Sequence, residues 1–460
     1  MTPPPVDLRA FLDRVRRERR TDLVEIERQV DPRFETAAIL AKLEERQRSP
    51  ILFFKDVKGS RFPLVTNVCG SMGRLALALD CPLRSVGERY AEGVERSVPP
   101  ELVATGPVKD HVVVGADVDL GTLPGLIYHQ ADSDNPYVTA AIVVARDPET
   151  RKTNLSYHRL MIAGRARTGI LMEHGKHLDG IFRKHVRLRQ PMPIAVFIGV
   201  HPLVSLGALF AGAADVEELD IIGGLMGAPL PVVRCTSQPD LVVPARAELV
   251  LEGTVSVDET IDEGPFGEFT GYGTGVTRTP VFNVGAMTFR EGCLFQDIVS
   301  GHMEHLILPL PAIQRRTLAD ARAVAPGVTR VSLPAPFTVV VALEKTDDAQ
   351  PRAIIDALVR ADIYAKHVIV VDADVDVGDL RQVLGAMGLQ TQATSGVHVF
   401  PDEQGTPLDP SCPSAEGRSA KMGIDATRPL HPRRPVTKNT LPSAVLEALD
   451  LTEILKTSSC

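Results

Sequence analysis

The sequence predicts an α/β protein of the α+β multidomain kind, two small α/β units flanking a β-rich centre. Three observations predict it. Helix-like and strand-like patterns alternate up to residue 105, β-branched runs punctuated by Gly, Pro and Asp dominate from Val112 to Met287, and a β-α-β-α order returns from Thr338.

Each element has its own warrant. Asp7 to Arg20 sets Leu8, Phe11, Leu12 and Val15 at helical spacing, behind a Pro-rich start that cannot itself be helix. Leu23 to Ile26 alternates with Asp22, Glu25 and Glu27 as a strand does, Phe34 to Glu45 is helical, and Ile51 to Phe54 is a short apolar strand. In the centre, Val112 to Val114, Val138 to Val144, Ile194 to Ile198, Leu249 to Val257 and Val281 to Met287 read as strands. Lys176 to Arg189 and Val216 to Met226 read as inserted helices. Met303 to Ala325 has the length of a connecting helix, broken only by Pro309 and Pro311. Thr338 to Leu343, Arg352 to Val359, His367 to Val371 and Leu380 to Met387 form the last α/β unit. The chain then reads as loop-rich from Gln390 to Arg434, and Ser443 to Leu455 closes as an amphipathic helix, able to dock on its own domain or on a partner subunit. The units are thus 1–105, 106–302, a connecting helix 303–325, 326–434 and a tail helix 435–460.

Composition narrows the function. A net charge of -8 and the absence of Trp disfavour nucleic-acid binding. Cys69, Cys81, Cys235, Cys293, Cys412 and Cys460 are scattered without a CxxC pair, which fits reduced thiols and a cytoplasmic protein. The N-terminus has no apolar core before a small-residue cleavage site, so no secretory signal is expected. Ile194 to Ala214 is largely apolar, but His201, Pro202, Ser205 and its glycines make it a buried strand, a turn and a helix start rather than a membrane span.

Phosphate-binding loops of the GxxxxGK[ST] kind, GxSxG and HExxH are absent. Gly271, Gly273 and Gly275 run into a turn and strand rather than a helix, so a dinucleotide crevice is not supported. What stands out is EGPFGEFTGY, Glu263 to Tyr272. Its two carboxylates are five residues apart, a spacing that puts them on opposite faces of a strand and off a shared helical stripe. Gly264, Pro265 and Gly267 make it a turn, in which both acids can converge on one cleft; taken alone it is also an ordinary acidic loop. Upstream, NLSYHR (Asn154 to Arg159) is a strand that places Ser156 and His158 on one face and Tyr157 and Arg159 on the other. An inward arginine needs carboxylate partners, whereas an edge-strand arginine needs none. His174 stands just before a helix and Glu218 on another. Together with an amide oxygen they would make a mixed N/O site suited to manganese or magnesium.

The order NLSYHR, EHGKH, VEELDIIGGLMG, VVRC, VPARAELVLEG, DEGPFGEFTGY, KHVIVVDADVDV and KMGIDAT resembles the UbiD family of reversible decarboxylases that use prenylated FMN. The match spans most of residues 1–430. The resemblance implies an N-terminal α/β domain, a central split β-barrel that binds the flavin, and a C-terminal α/β domain with a terminal helix. It places a metal, usually manganese with potassium beside it, on Asn154, His174 and Glu218, where it ties the cofactor phosphate to the protein. Ser156, Tyr157, His158 and Arg159, with Leu171, Met172, Glu173 and His174, would line the flavin. Either Arg360 or Lys366 would meet the phosphate from the third domain.

The resemblance assigns catalysis to Arg159, Glu263 and Glu268, and elementary chemistry suits them. A guanidinium holds a carboxylate by two charge-assisted hydrogen bonds, Glu263 would fix Arg159, and Glu268 would protonate the carbon that carbon dioxide leaves. For that, Glu268 needs a pKa raised by desolvation and by its acidic neighbour. The implied substrate is an α,β-unsaturated or aromatic acid, the implied cofactor supplier a separate flavin prenyltransferase, and the implied assembly a homodimer or a higher symmetric oligomer. Leu155, His158 and the segment Asp134 to Thr139 depart from the family pattern and touch the pocket shape. The competing readings are a metal-dependent hydrolase or lyase without flavin, and a non-catalytic subunit, which would be expected to lose the acid or the arginine.

Overall fold

The computed structural model describes residues 6–451 except 211, 213–215, 415, 433, 435–438 and 440. The first helix, Leu8–Glu18, buries Leu8, Phe11, Leu12 and Val15 as their spacing predicts, and Asp7 caps it by accepting from the Ala10 amide. A four-stranded sheet follows in the order Leu23–Ile26, Ile51–Phe54, Leu64–Thr66, Phe295–Asp297. Its last strand arrives from far along the chain and lies parallel to Leu64–Thr66. Three residues carry no periodicity, so only the fold shows where they pair.

The centre is a nine-stranded antiparallel sheet. Its path runs Tyr137–Val138, Leu160–Gly164, Arg167–Ile170, Thr277–Phe289, Leu249–Glu263, Met192–Ile198, Ile142–Arg146, Thr153–Tyr157, with His111–Val114 also on Thr277–Phe289. The spine is the long pair Leu249–Glu263 and Thr277–Phe289, paired from Leu249 opposite Phe289 to Glu263 opposite Thr277 with register shifts after Glu252 and after Val255. This hairpin carries its apolar end into the core and leaves Glu263 at the tip. The two inserted helices are His177–Leu188 and Glu218–Met226. Ile194 to Ala214 resolves into the strand Met192–Ile198 and the helix Pro202–Gly207, and among the described residues no helix is long and apolar enough to cross a membrane. The N-terminal elements and much of the central sheet share one apolar core, whereas the last unit has cores of its own.

The connecting segment is two helices, Met303–Ile307 and Leu310–Val324, because Pro309 and Pro311 interrupt the first turn. The last sheet runs Val328–Ala335, Thr338–Leu343, His367–Asp372, Arg418–Ala426, Val397–Gln404, with helices Gln350–Ala361 and Leu380–Gln390. This corrects the loop-rich expectation for Gln390 to Arg434, which holds two strands. Lys421 hid the second from its pattern. It is buried in mid-strand, and its ammonium donates to the carbonyls of Val359 and Asp362 at 2.7 and 2.8 Å. The tail helix is described as Ser443–Glu447, and 452–460 lie outside the described residues.

Glu304, at the start of the connecting segment, accepts from the Cys69 amide at 2.7 Å and is 1% exposed. Burial pushes its carboxyl up to about 8. Folding therefore takes up a proton here, so its share of stability is full below the ordinary value of 4.5 and is lost as pH rises toward 8. Between these values Glu304→Gln is expected to flatten the decline of unfolding free energy with pH by up to about 1.4 kcal/mol per pH unit. Denaturant titrations at several pH values check this.

Candidate active site

Strand Thr153–Tyr157 is paired to Ile142–Arg146 and presents alternate residues to opposite sides. Ser156 and His158 do share a face, with Ser156 Oγ 2.9 Å from His158 Nε2. His158 Nδ1 lies 2.8 Å from the Leu171 carbonyl, and burial pushes the imidazole down to about 4. The neutral ring therefore carries its proton on Nδ1 and accepts the Ser156 hydroxyl proton at Nε2. That leaves Asn154 Oδ1, 3.3 Å from Ser156 Oγ, with its lone pairs free.

Asn154 Nδ2 and the Leu155 amide donate to the Glu218 carboxylate at 3.2 and 2.9 Å. Glu218 opens its helix, is 2% exposed, and among the described residues meets no ion-pair partner. Burial pushes it up to about 7. A buried carboxylate facing only neutral donors, beside a free amide oxygen, is a donor set that fits a hard cation. His174 is placed differently. Its side chain is 78% exposed, and Nδ1 lies 3.1 Å from Asp179 Oδ2 and 2.7 Å from Arg183 Nη2, so it completes the set only by turning away from both.

Of the other expected lining residues, Tyr157 and Met172 pack against the core, Leu171 offers its carbonyl to His158, and Glu173 accepts from the Tyr364 hydroxyl at 3.0 Å. Lys366 is held by Asp409 at 2.5 Å and by Ser411, whereas Arg360 is exposed at the end of Gln350–Ala361.

Arg159 lies just beyond the strand and meets both acids of the 263–272 turn. Its Nε and Nη2 donate to Glu263 Oε1 and Oε2 at 2.9 and 3.0 Å, and Nη1 donates to Glu268. The Phe266 ring covers the guanidinium, its centroid 4.5 Å away. Glu263 ends its strand, and the chain then folds back through Gly264 into a short pairing of Phe266–Gly267 with Gly273–Thr274. Gly264 has φ +96°, and a Cβ there would come within 2.7 Å of the Gly275 carbonyl. The turn thus brings together two carboxylates that regular structure would separate. Glu263 is fully buried, and the Glu268 side chain is 12% exposed. Burial raises the Glu268 pKa; Arg159 opposes the shift and Glu263 adds to it, and burial outweighs the arginine.

Residues that no sequence pattern flagged complete the surroundings. The Tyr137 hydroxyl hydrogen-bonds the Glu263 carboxylate and accepts from the Gly264 amide at 3.1 Å. It belongs to the Asp134 to Thr139 segment that departs from the family pattern, which was the one available signal. Asp132, Ser300 and His305 also border the turn.

Known proteins share this fold. Family models described as the N-terminal, Rift-related and C-terminal domains of 3-octaprenyl-4-hydroxybenzoate carboxy-lyase match residues 16–94, 101–303 and 310–426. The phenolic acid decarboxylase of Streptomyces sp. (strain D7) is 32% identical over 93% of this chain and 93% of its own. The UbiD-class enzyme HmfF from Pelotomaculum thermopropionicum, in complex with FMN, superposes with a TM-score of 0.87 at 34% identity over 97% of this chain and 99% of that one. An evolved dimeric form of the same enzyme in complex with prFMN gives 0.84 at 32% identity, over 98% of this chain and all of that one. Vanillic acid decarboxylase of Sedimentibacter hydroxybenzoicus, in its closed form, gives 0.86 at 28% over 98% of each chain. Fold and site define a carboxy-lyase of the flavin-dependent class. The chain belongs to the UbiD family.

Removing Arg159 would leave two nearly buried carboxylates without their cation. Arg159→Ala is expected to cost about 3 kcal/mol of unfolding free energy, and pairing it with Glu263→Gln to recover part of that. Urea titrations of the two variants check this, and a single-variant cost below about 1 kcal/mol, as for an exposed pair, contradicts it.

Proposed function

We propose that the chain catalyses the reversible, non-oxidative decarboxylation of an aromatic or α,β-unsaturated carboxylic acid with prenylated FMN, the aromatic class being favoured by relatives named for phenolic and vanillic acids. The observation that carries this reading is the single guanidinium shared by two unlike carboxylates. Prenylated FMN, when bound, supplies the electron-accepting chemistry that loosens the bond to the carboxylate carbon. The chain supplies the rest. Glu263 occupies the Nε edge of Arg159 and fixes its plane. The Nη1 edge, now turned to Glu268, is the one that can take the substrate carboxylate in a charge-assisted pair.

Glu268, whose carboxyl burial pushes above the ordinary glutamate value, is the general acid. It gives that proton to the carbon that has lost carbon dioxide and takes it back in carboxylation. Phe266 covers the guanidinium and strengthens its ion pair with Glu263. Asn154, Glu218 and a reoriented His174 would hold manganese or magnesium, with potassium alongside, against the cofactor phosphate. The reading also carries a flavin prenyltransferase as supplier, a homodimer and a cytoplasmic location.

The test is to co-express the chain with a flavin prenyltransferase, record the flavin absorbance, and measure carbon dioxide release from 4-hydroxybenzoic, vanillic and cinnamic acids. Bound flavin and release from at least one acid are expected; neither flavin nor release overturns the reading. Glu268→Gln is expected to keep flavin and lose turnover at least about 100-fold, a result read from the same assay.

The pH profile has a defined sign. Decarboxylation needs Glu268 protonated and its pKa is raised, so the rate is expected to fall as pH rises through a value above the ordinary 4.5. Glu218→Ala is expected to lose both metal, by elemental analysis, and flavin, by absorbance, while Glu217→Ala keeps them.

A further inference from the structure

The acid that moves the proton is only as well placed as the backbone it hangs from, and that backbone is gripped at one residue. Two peptide planes flank Gly267. The N–H of the first donates to Asp132 Oδ1 at 2.8 Å, and the C=O of the second, which leads directly into Glu268, accepts from Ser300 Oγ at 2.6 Å. The two clamps come from segments far apart in the chain, and neither side chain is at the surface: Asp132 is 1% exposed and Ser300 2%.

Each clamp is itself supported. Asp132 Oδ2 accepts from the His129 amide at 2.9 Å and lies 3.2 Å from His129 Nδ1. The His129 ring in turn fills the place of a Gly267 side chain, since a Cβ there would come within 2.4 Å of Nδ1. Ser300 has one hydrogen, which goes to the Gly267 carbonyl, while His305 Nδ1 lies 3.2 Å from Ser300 Oγ and accepts from the Gly301 amide at 3.4 Å. Burial pushes the His305 imidazole down to about 4. Gly301 lies against the next peptide, with its Cβ position 3.3 Å from the Glu268 carbonyl. The Glu268 amide donates to Tyr272 at 2.9 Å. Glu268 thus hangs from a backbone with little remaining freedom, which is what a proton donor needs if it is to meet a carbon rather than water.

We propose that Asp132 and Ser300 are positioning residues for the proton transfer: by holding both peptides at Gly267 they fix where the Glu268 carboxyl points, without touching substrate or flavin themselves. This rests on the reading of Glu268 as proton donor. Loss of either clamp lets the turn rotate about Gly267, the residue with the softest backbone, and misplaces the carboxyl.

Two measurements on the full chain test it. Hydrogen exchange of peptide 264–272, followed by mass spectrometry without substrate, is expected to be faster by about tenfold or more in Ser300→Ala and Asp132→Asn and restored in Ser300→Thr, which keeps the hydroxyl. In the flavin-loaded protein, with vanillic acid or whichever acid of the panel turns over, kcat is expected to fall about 10- to 100-fold. KM and flavin content stay within about twofold, and the solvent deuterium isotope effect on kcat rises as proton transfer becomes limiting.

Unchanged exchange and an unchanged isotope effect in Ser300→Ala overturn the proposal, as does a loss of kcat that only tracks lost flavin or a lower melting temperature. Glu268→Gln separates the two readings. Full activity in that variant removes the proton-donor assignment whatever Ser300 does, whereas an inactive Glu268→Gln beside a fully active Ser300→Ala removes only the clamp.

Discussion

One guanidinium between two carboxylates sets the terms for everything around it. Arg159 is nearly buried, and a buried positive charge must be matched or the fold loses several kcal/mol. Glu263 matches it with two parallel hydrogen bonds on one edge, leaving the second carboxylate to share what remains. Identical side chains thereby become unequal. Glu263 is a fixed counter-ion with Tyr137 on its flank, and Glu268 is an acid whose burial outweighs the pull of the arginine. The proposed chemistry needs that inequality, because a site with two firmly ionised acids has no proton to give.

The architecture serves this placement. The long hairpin Leu249–Glu263 and Thr277–Phe289 is anchored in the apolar core at one end and ends in the acid turn at the other, so the rigid sheet carries Glu263 to a fixed point. Strand Thr153–Tyr157, at the edge of the same sheet, brings Asn154 and Ser156 to the same region and hands Arg159 to the turn. The third unit approaches from outside: Phe337 and Tyr364 set their rings against Phe269, next to Glu268, and Tyr364 reaches Glu173 on the loop before His177–Leu188. The site is therefore built by the central unit and bordered by the last.

How much of this was legible in the sequence depends on whether a residue announces itself locally. Glycine and proline between two acids announce a turn, and helical spacing announces Leu8 to Val15, so those readings carried over to the fold. The pairing of Arg159 with Glu263 was legible only as the order of two motifs, since no spacing relates residues 104 apart. Asp132 and Ser300 act through backbone groups of Gly267, and a side chain that holds a peptide leaves no pattern. The strand Phe295–Asp297 is too short for a period, and buried Lys421 breaks the one its strand would have shown. His174 was read from its motif beside Asn154 and Glu218, yet its imidazole rests against Asp179 and Arg183, because an exposed ring takes the partners within reach.

The account turns on Glu268, and not Glu263, being the proton donor. Infrared difference titration of the purified chain, comparing wild type with Glu268→Gln and with Glu263→Gln, reads this without any substrate. The expected result is a protonated-carboxyl band that titrates above the ordinary glutamate value and is lost in Glu268→Gln. A band that survives in Glu268→Gln and disappears in Glu263→Gln would reverse the two roles and contradict the account.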